Sequence, residues 1–197
     1  MAKKKSSRAP QRPARRSASK FAVPATISRE DFFEAGSDDW FRDAIYRLVQ
    51  VLGRLTACRE AFGSELGLTG SQFAVLMGVA YRQGEEGITV AALSSYVGLA
   101  ATHVTTEVQR LIGKDLLIKR PHGSDKRSVL ISLSDSGVEA MHQVLPLVRK
   151  INDALFTGIS RKQLEAANAV AKQLLVNSAY ALAEIKVNES LRAAEAS

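Results

Sequence analysis

Residues 89–137 constrain this chain more than any other stretch: TVAALSSYVGLAATHVTTEVQRLIGKDLLIKRPHGSDKRSVLISLSDSG. Its hydrophobic period changes along the way. Ile88-Thr89-Val90 reads as a short strand, with Thr89 also placed to cap a helix immediately after it. Ala92, Leu93, Tyr96 and Val97 then recur at helical spacing, and Gly98 is the expected stop. A second helix comes next. At about 100° per residue, Val104, Val108, Leu111 and Ile112 fall on one side, while Thr102, His103, Thr106, Gln109 and Arg110 fall on the other. After it the period drops to two. Leu116-Leu117-Ile118 signals a strand, Pro121-His122-Gly123-Ser124 has the chemistry of a hairpin tip, and Val129, Ile131 and Leu133 alternate with Ser128, Leu130 and Ser132 on the return. Helix, turn, helix and hairpin in that order are the layout of a winged helix-turn-helix, a module that reads duplex DNA.

The polar face of the second helix carries hydroxyls, an imidazole, an amide and a guanidinium. Such groups hydrogen-bond base edges and phosphates in a major groove. Taken alone, the same face also suits an amphipathic helix turned to water. The hairpin adds weight to the first reading. Lys119, Arg120, Lys126 and Arg127 are basic and only Asp125 is acidic between them, as a contact to phosphates and the minor groove requires.

These residues resemble the MarR family of multiple-antibiotic-resistance regulators. The resemblance lies in His103-Val104-Thr105, Leu111, Leu116-Leu117-Ile118-Lys119-Arg120, Asp125-Lys126-Arg127 and Leu133-Ser134-Asp135-Ser136-Gly137. Upstream, Leu68-Thr69-Gly70-Ser71-Gln72-Phe73-Ala74-Val75-Leu76 is similar to the start of a family helix. The order and spacing of these motifs, over about residues 37–190, make the likeness specific. It implies a bacterial or archaeal transcription factor, cytoplasmic and nucleoid-associated when bound to DNA. It implies a dimeric repressor with Thr102, His103, Thr105, Thr106, Gln109 and Arg110 facing the major groove. Lys119, Arg120 and Lys126 would hold phosphates, Asp125 would pair with Arg127 to stiffen the wing, and Arg127 would reach the minor groove. Two positions depart from the pattern. Thr106 stands where the family usually has Arg or Lys, so no guanine contact carries over to it. Asp115 stands where Gly is usual, and Asp tolerates a left-handed backbone better than most residues.

The rest of the chain divides by composition. Residues 1–28 are read as a disordered basic tail: Pro10, Pro13 and Pro24 interrupt a Ser- and Ala-rich run with no apolar period. Residues 1–20 hold eight Lys and Arg and no acid, more than the whole net charge of +7. The basic balance therefore belongs to the tail and cannot by itself argue that the folded body binds DNA. The tail lacks the apolar segment of a secretory signal. It reads either as a polycation that tracks phosphates or as a solubilising extension.

Residues 29–68 are expected to hold an N-terminal dimerisation helix, opened by Ser37-Asp38-Asp39 and striped by Phe41, Ile45, Leu48, Leu52, Leu55, Phe62 and Leu66. Residues 69–135 are the winged module. It starts with a Thr69–Gln72 capping box and a helix over about 70–82 whose inner face is Phe73, Leu76, Met77 and Ala80. Residues 136–197 are expected to form two further dimerisation helices. In the first, capped by Ser134, Val138, Met141, Leu145, Val148, Ile151 and Leu155 share a face, with a kink at Pro146. A Ser160–Gln163 capping box opens the second, which runs to about 190 along Leu164, Ala167, Ala171, Leu174, Leu175, Leu182 and Ile185. The fold class is mainly α with a small β-hairpin wing. The long apolar stripes exceed what one winged module can cover, so a homodimer is expected, with a pseudo-palindromic operator.

The resemblance also implies a small-molecule effector, such as an aromatic acid or thioester. Trp40, Tyr46, Arg54, Met77 and Tyr81 are candidate walls of its pocket, although core, surface or interface is the commoner place for each of them. Other classes are disfavoured. His122, Ser124 and Asp125 sit too close together on a hairpin tip to act as a hydrolytic trio, and no enzyme activity, cofactor or metal is expected. His103, His122, His142 and Cys58 have no metal-ligand spacing. The lone Cys58 can form no internal disulfide and reads as a structural thiol. No run nears the ~18 apolar residues of a membrane span. Two alternatives stay open: a non-specific architectural DNA binder using the polybasic tail, and a winged domain used for protein contacts.

Overall fold

The structure, a computed structural model, describes residues 23–122 and 128–195. Most of the basic tail lies outside the described residues. So does the wing tip with Gly123, Ser124, Asp125, Lys126 and Arg127. The chain forms two compact units, Met1–Thr56 and Ala57–Ser197.

In the first unit a 3-10 turn, Glu30–Phe32, leads through a tight reversal at Ala35 and Gly36, where Glu34 and Ser37 exchange backbone hydrogen bonds of 2.8 and 3.0 Å. Helix α1 (Asp39–Ser64) starts here, with the Ser37 hydroxyl accepting from the Asp39 N–H at 3.2 Å. Asp38 is 2% exposed, and its carboxylate is fully engaged. It accepts from the Thr26 N–H at 2.6 Å and the Thr26 hydroxyl at 2.7 Å, and it pairs with Arg42. Thr26 belongs to the segment expected to be disordered; a buried carboxylate twelve residues away holds it instead. Phe41 meets Phe32 edge-on at 5.3 Å. The remaining stripe in this unit, Ile45, Leu48, Leu52 and Leu55, is exposed.

The second unit contains the core. At the end of α1, Phe62 packs on Phe73 at 5.8 Å between ring centres. Helix α2 (Gly70–Arg82) opens with the expected capping box, Thr69 and Gln72 each accepting from the other's N–H at 3.2 Å. Val75, Leu76 and Val79 are fully buried and Phe73 nearly so, while Met77 and Ala80 lie at the margin. The expected inner face is therefore rotated, because α2 is enclosed by α3, α4, β3 and α5 rather than by one neighbour. Strand β1 is only Ile88–Thr89. Val90 begins helix α3 (Val90–Val97) instead of extending the strand, since the Thr89 hydroxyl caps it by accepting from the Ala92 N–H at 3.3 Å. Leu93 is the buried residue of α3. Ala92 and Tyr96 are exposed, contrary to the expected core side. Gly98 ends α3 in the left-handed conformation, φ +70°.

Helix α4 (Ala101–Gly113) buries Val104, Val108 and Leu111, with Ile112 partly covered. Strands β2 (Leu117–Pro121) and β3 (Val129–Leu133) form the expected hairpin. β1 joins it as a third strand, with Ile88 opposite Ile131, so β3 is central. That placement buries Leu130 as well as Ile131 and leaves Val129 exposed, which breaks the simple alternation. The turn between α4 and β2 uses Asp115 at φ +57°. Helix α5 (Asp135–Leu155) is capped by Ser134, which accepts from the Gly137 N–H at 2.9 Å, and continues through Pro146. Its inner positions are Met141, Val144 and Val148, with Leu145 and Ile151 beside them; Val138 and Leu155 are exposed. Gly137 has no room for a side chain, since a Cβ there would lie 2.1 Å from the Leu116 carbonyl oxygen. Helix α6 (Arg161–Glu195) starts at the expected Ser160–Gln163 box and leaves its whole apolar stripe exposed.

Two outcomes test this packing. Leu111→Ala removes a fully buried side chain and should lower unfolding stability by about 2–5 kcal/mol, measured by denaturant titration; a loss within error would contradict its central place. Asp38 is held below its ordinary value of 3.8, first by the Thr26 backbone hydrogen bond, then by the Thr26 hydroxyl and by the Arg42 charge, against the opposing effect of burial. A lowered carboxylate stabilises the fold above its unfolded pKa and loses that contribution as pH falls through the folded value. The stability advantage over Asp38→Asn should therefore be constant at neutral pH and shrink only below about pH 4. The fluorescence of Trp40, the chain's single tryptophan, would report it. An advantage that grew on acidification would refute the assignment.

Candidate nucleic-acid interface

The buried side of α4 decides which side faces out. With Val104, Val108 and Leu111 in the core, Thr102, His103, Thr105, Thr106, Gln109 and Arg110 are all exposed. The turn that presents them is fixed by the Ser94 hydroxyl, which donates to the Leu99 carbonyl at 2.6 Å. The Thr105 and Thr106 hydroxyls donate to the carbonyls of Ala101 and Thr102, at 2.8 and 3.1 Å. Their lone pairs remain available, so they face outward as acceptors. Ala100 precedes α4 and gives no side-chain cap. The first N–H groups of the helix therefore lack the side-chain acceptor that Thr69, Thr89 and Ser134 supply elsewhere. Helix starts of this kind favour anionic oxygens.

Sequence reasoning missed Glu107. It lies three residues after Val104 and four before Leu111, inside the core stripe, and is 3% exposed. Its Oε1 accepts from Arg110 Nη1 at 2.8 Å and lies 3.6 Å from His103 Nε2, while its Oε2 is buried without a hydrogen-bond partner. The spacing was a signal: a carboxylate on the apolar side of a helix must find a cation.

Of the expected wing cations, Lys119 is exposed on β2. Arg120 is engaged within the protein. Its guanidinium donates to the Glu86 carbonyl, at 3.1 Å from Nε, and to that of Glu85 at 3.4 Å. It ties the wing to the turn after α2, a role that the charge pattern does not reveal. Gln83 does similar work through its side-chain oxygen, which accepts from the Leu133 N–H at 2.8 Å. Lys114, not foreseen, donates to the Gly67 carbonyl at 3.3 Å. Asp125, Lys126 and Arg127 fall outside the described residues. Asp115, the residue in the left-handed turn, accepts from the hydroxyls of Ser134 at 2.5 Å and Ser136 at 2.9 Å, through its carbonyl and carboxylate respectively.

Among the effector candidates, Tyr81 lines an open groove of about 440 Å³ together with Leu145, Val148, Arg149, Asn152 and Asp153. Met77, one turn earlier on α2, packs at the edge of the core. Trp40, Tyr46 and Arg54 are exposed on α1 in the first unit. Among the described residues no cluster of three or more His, Cys, Asp or Glu could hold a metal ion, and no helix is long and apolar enough to cross a membrane.

The arrangement has known counterparts. A family model described as MarR family matches residues 66–128. The chain is 32% identical over 101 residues to YdcH of Bacillus subtilis strain 168, an uncharacterized HTH-type transcriptional regulator, covering 51% of this chain and 69% of that protein. In fold it is similar to a mutant MarR from E. coli complexed with operator DNA, with TM-score 0.55, 22% identity, and coverage of 67% of this chain and 94% of the other. It is also similar to a MarR-family regulator from Silicibacter pomeroyi, with TM-score 0.58, 19% identity, and coverage of 77% and 96%. Motif order, the winged module and these relatives agree, and the chain belongs to the MarR family of transcriptional regulators.

Proposed function

We propose that this regulator is a ligand-responsive, dimeric repressor that binds a pseudo-palindromic operator through α4 and the wing. The observation that carries the reading is the exposed polar face of α4, with an uncapped helix start at one end and Lys119 on the adjoining hairpin. Major-groove readers need such acceptors and donors on a rigid helix. The E. coli MarR variant, alike in fold, is described as complexed with operator DNA. Dimerisation is supported by the uncovered apolar side chains of α6, among them Leu174, Leu175, Leu182 and Ile185, each at least half exposed in the single chain. Exposed large apolar side chains in that number mark a surface for another protein chain. A two-fold dimer that reads both half-sites from one side of the duplex would need its two reading helices about 34–36 Å apart, one turn of DNA.

For the effector, the Tyr81 groove offers an aromatic ring, aliphatic side chains and the Arg149 cation, with the Asp153 carboxylate beside them; the ring and the cation suit an aromatic acid or its thioester. A ligand there would alter DNA affinity only by binding the DNA-competent and incompetent states unequally.

Selection from a randomised duplex pool tests the reading. The protein should retain a pseudo-palindromic site in competition with bulk DNA. Arg127→Ala should weaken that site by ~1–3 kcal/mol. Deletion of residues 2–20 should instead lower affinity for every duplex and flatten its salt dependence. A protein that selects no site but still coats DNA is an architectural binder, and one that binds no duplex at low salt uses its winged domain for protein contacts.

A further inference from the structure

We infer that Glu107 is a positioning residue for sequence reading: it holds Arg110 in place on the outer face of α4, beside His103. The inference rests on the proposal that this face meets DNA. Glu107 is itself too buried to touch a base, at 3% exposure. His103 and Arg110 stand four residues before and three after it, two of the four helical neighbours that a side chain at 107 can reach, the others being the buried Val104 and Leu111. Both contacts fall on the same oxygen, Oε1, at 3.6 Å from His103 Nε2 and 2.8 Å from Arg110 Nη1. The first distance is beyond hydrogen-bond range; the second is a charge-assisted hydrogen bond.

The contact has two consequences for DNA reading. One guanidinium nitrogen of Arg110 is fixed against the flank of the helix, while the side chain stays 59% exposed. That limits the rotamers it can bring to a base edge, and a planar fork discriminates bases only when it is held in register. The carboxylate also cancels most of the long-range attraction of Arg110 for phosphates. The pair therefore gives up non-specific affinity and keeps directional donors. A merely tolerated buried acid would do neither, and leaving Oε2 without a partner is costly for stability alone.

The test compares full-length wild type, Glu107→Gln, Glu107→Leu, Arg110→Ala and the Glu107→Gln/Arg110→Ala double variant. Each is titrated against the duplex that wild type selects from a random pool and against a scrambled duplex of equal length, over a salt series, with thermal melting alongside. Glu107→Leu should melt no lower than wild type, because an apolar side chain suits the site. In both Glu107 variants the affinity ratio between selected and scrambled duplex should fall on the order of tenfold. The scrambled duplex should bind more tightly, with a salt slope steeper by about one. In the Arg110→Ala background, Glu107→Gln should leave the ratio unchanged. Parallel loss on both duplexes, in step with lost thermal stability, would overturn the inference, as would a full Glu107→Gln effect without Arg110. An unaltered ratio in both Glu107 variants would overturn it while leaving DNA reading by α4 intact. If wild type selects no sequence at all, the DNA reading itself falls, and the inference with it.

Discussion

The burial of Val104, Val108 and Leu111 is the constraint on which the rest of the structure depends. A helix rotated by one residue turns its side chains by about 100°, which would bring Thr105 inward and turn Val104 and Leu111 away. The apolar stripe resists that rotation, since each such side chain contributes about 1.5–3 kcal/mol by leaving water. α2 and α3 supply the opposing surface, and the short α3 has room for little more than Leu93. The same packing that makes the core therefore sets which groups of α4 meet the outside.

The wing is held differently. Its strands bury little beyond Leu117, Leu130 and Ile131, so hydrogen bonds set its position. Arg120 grips the carbonyls of residues 85 and 86, Gln83 accepts from β3, and β1 extends the sheet by one strand. At the far end, Ser134 bonds both the Asp115 carbonyl and the first turn of α5. These ties anchor β2, which carries the exposed Lys119. They also engage two of the three Arg120 guanidinium nitrogens, although its side chain stays exposed.

Local rules were the legible part of the sequence. The Thr69, Thr89, Ser134 and Ser160 caps, the Gly98 stop and the left-handed Asp115 depend on a few adjacent residues, and all stand where expected. The outer face of α4 was legible because a short amphipathic helix has one polar side. The misses share another cause. The α2 stripe was rotated, Tyr96 was placed inside, and Val129 was paired with Ile131, because burial there depends on how many elements enclose a segment. Periodicity along one segment does not carry that number. The partners of Asp38 and Arg120 are not legible because a charge pattern gives signs and not distances; that of Glu107, three residues away on one helix, was legible from spacing. Thr26 and Asp38 are twelve residues apart, and Arg120 and Glu86 thirty-four. The family resemblance supplied the function; composition alone pointed to the tail.

The most direct measurement is a photo-crosslinking scan with the selected duplex, carrying the probe in turn at Thr102, Thr106, Gln109 and Ile185. Efficient crosslinks to bases are expected from the three α4 positions and none from Ile185 on α6. Crosslinks from Ile185, or silence from α4 while the duplex is bound, would contradict it.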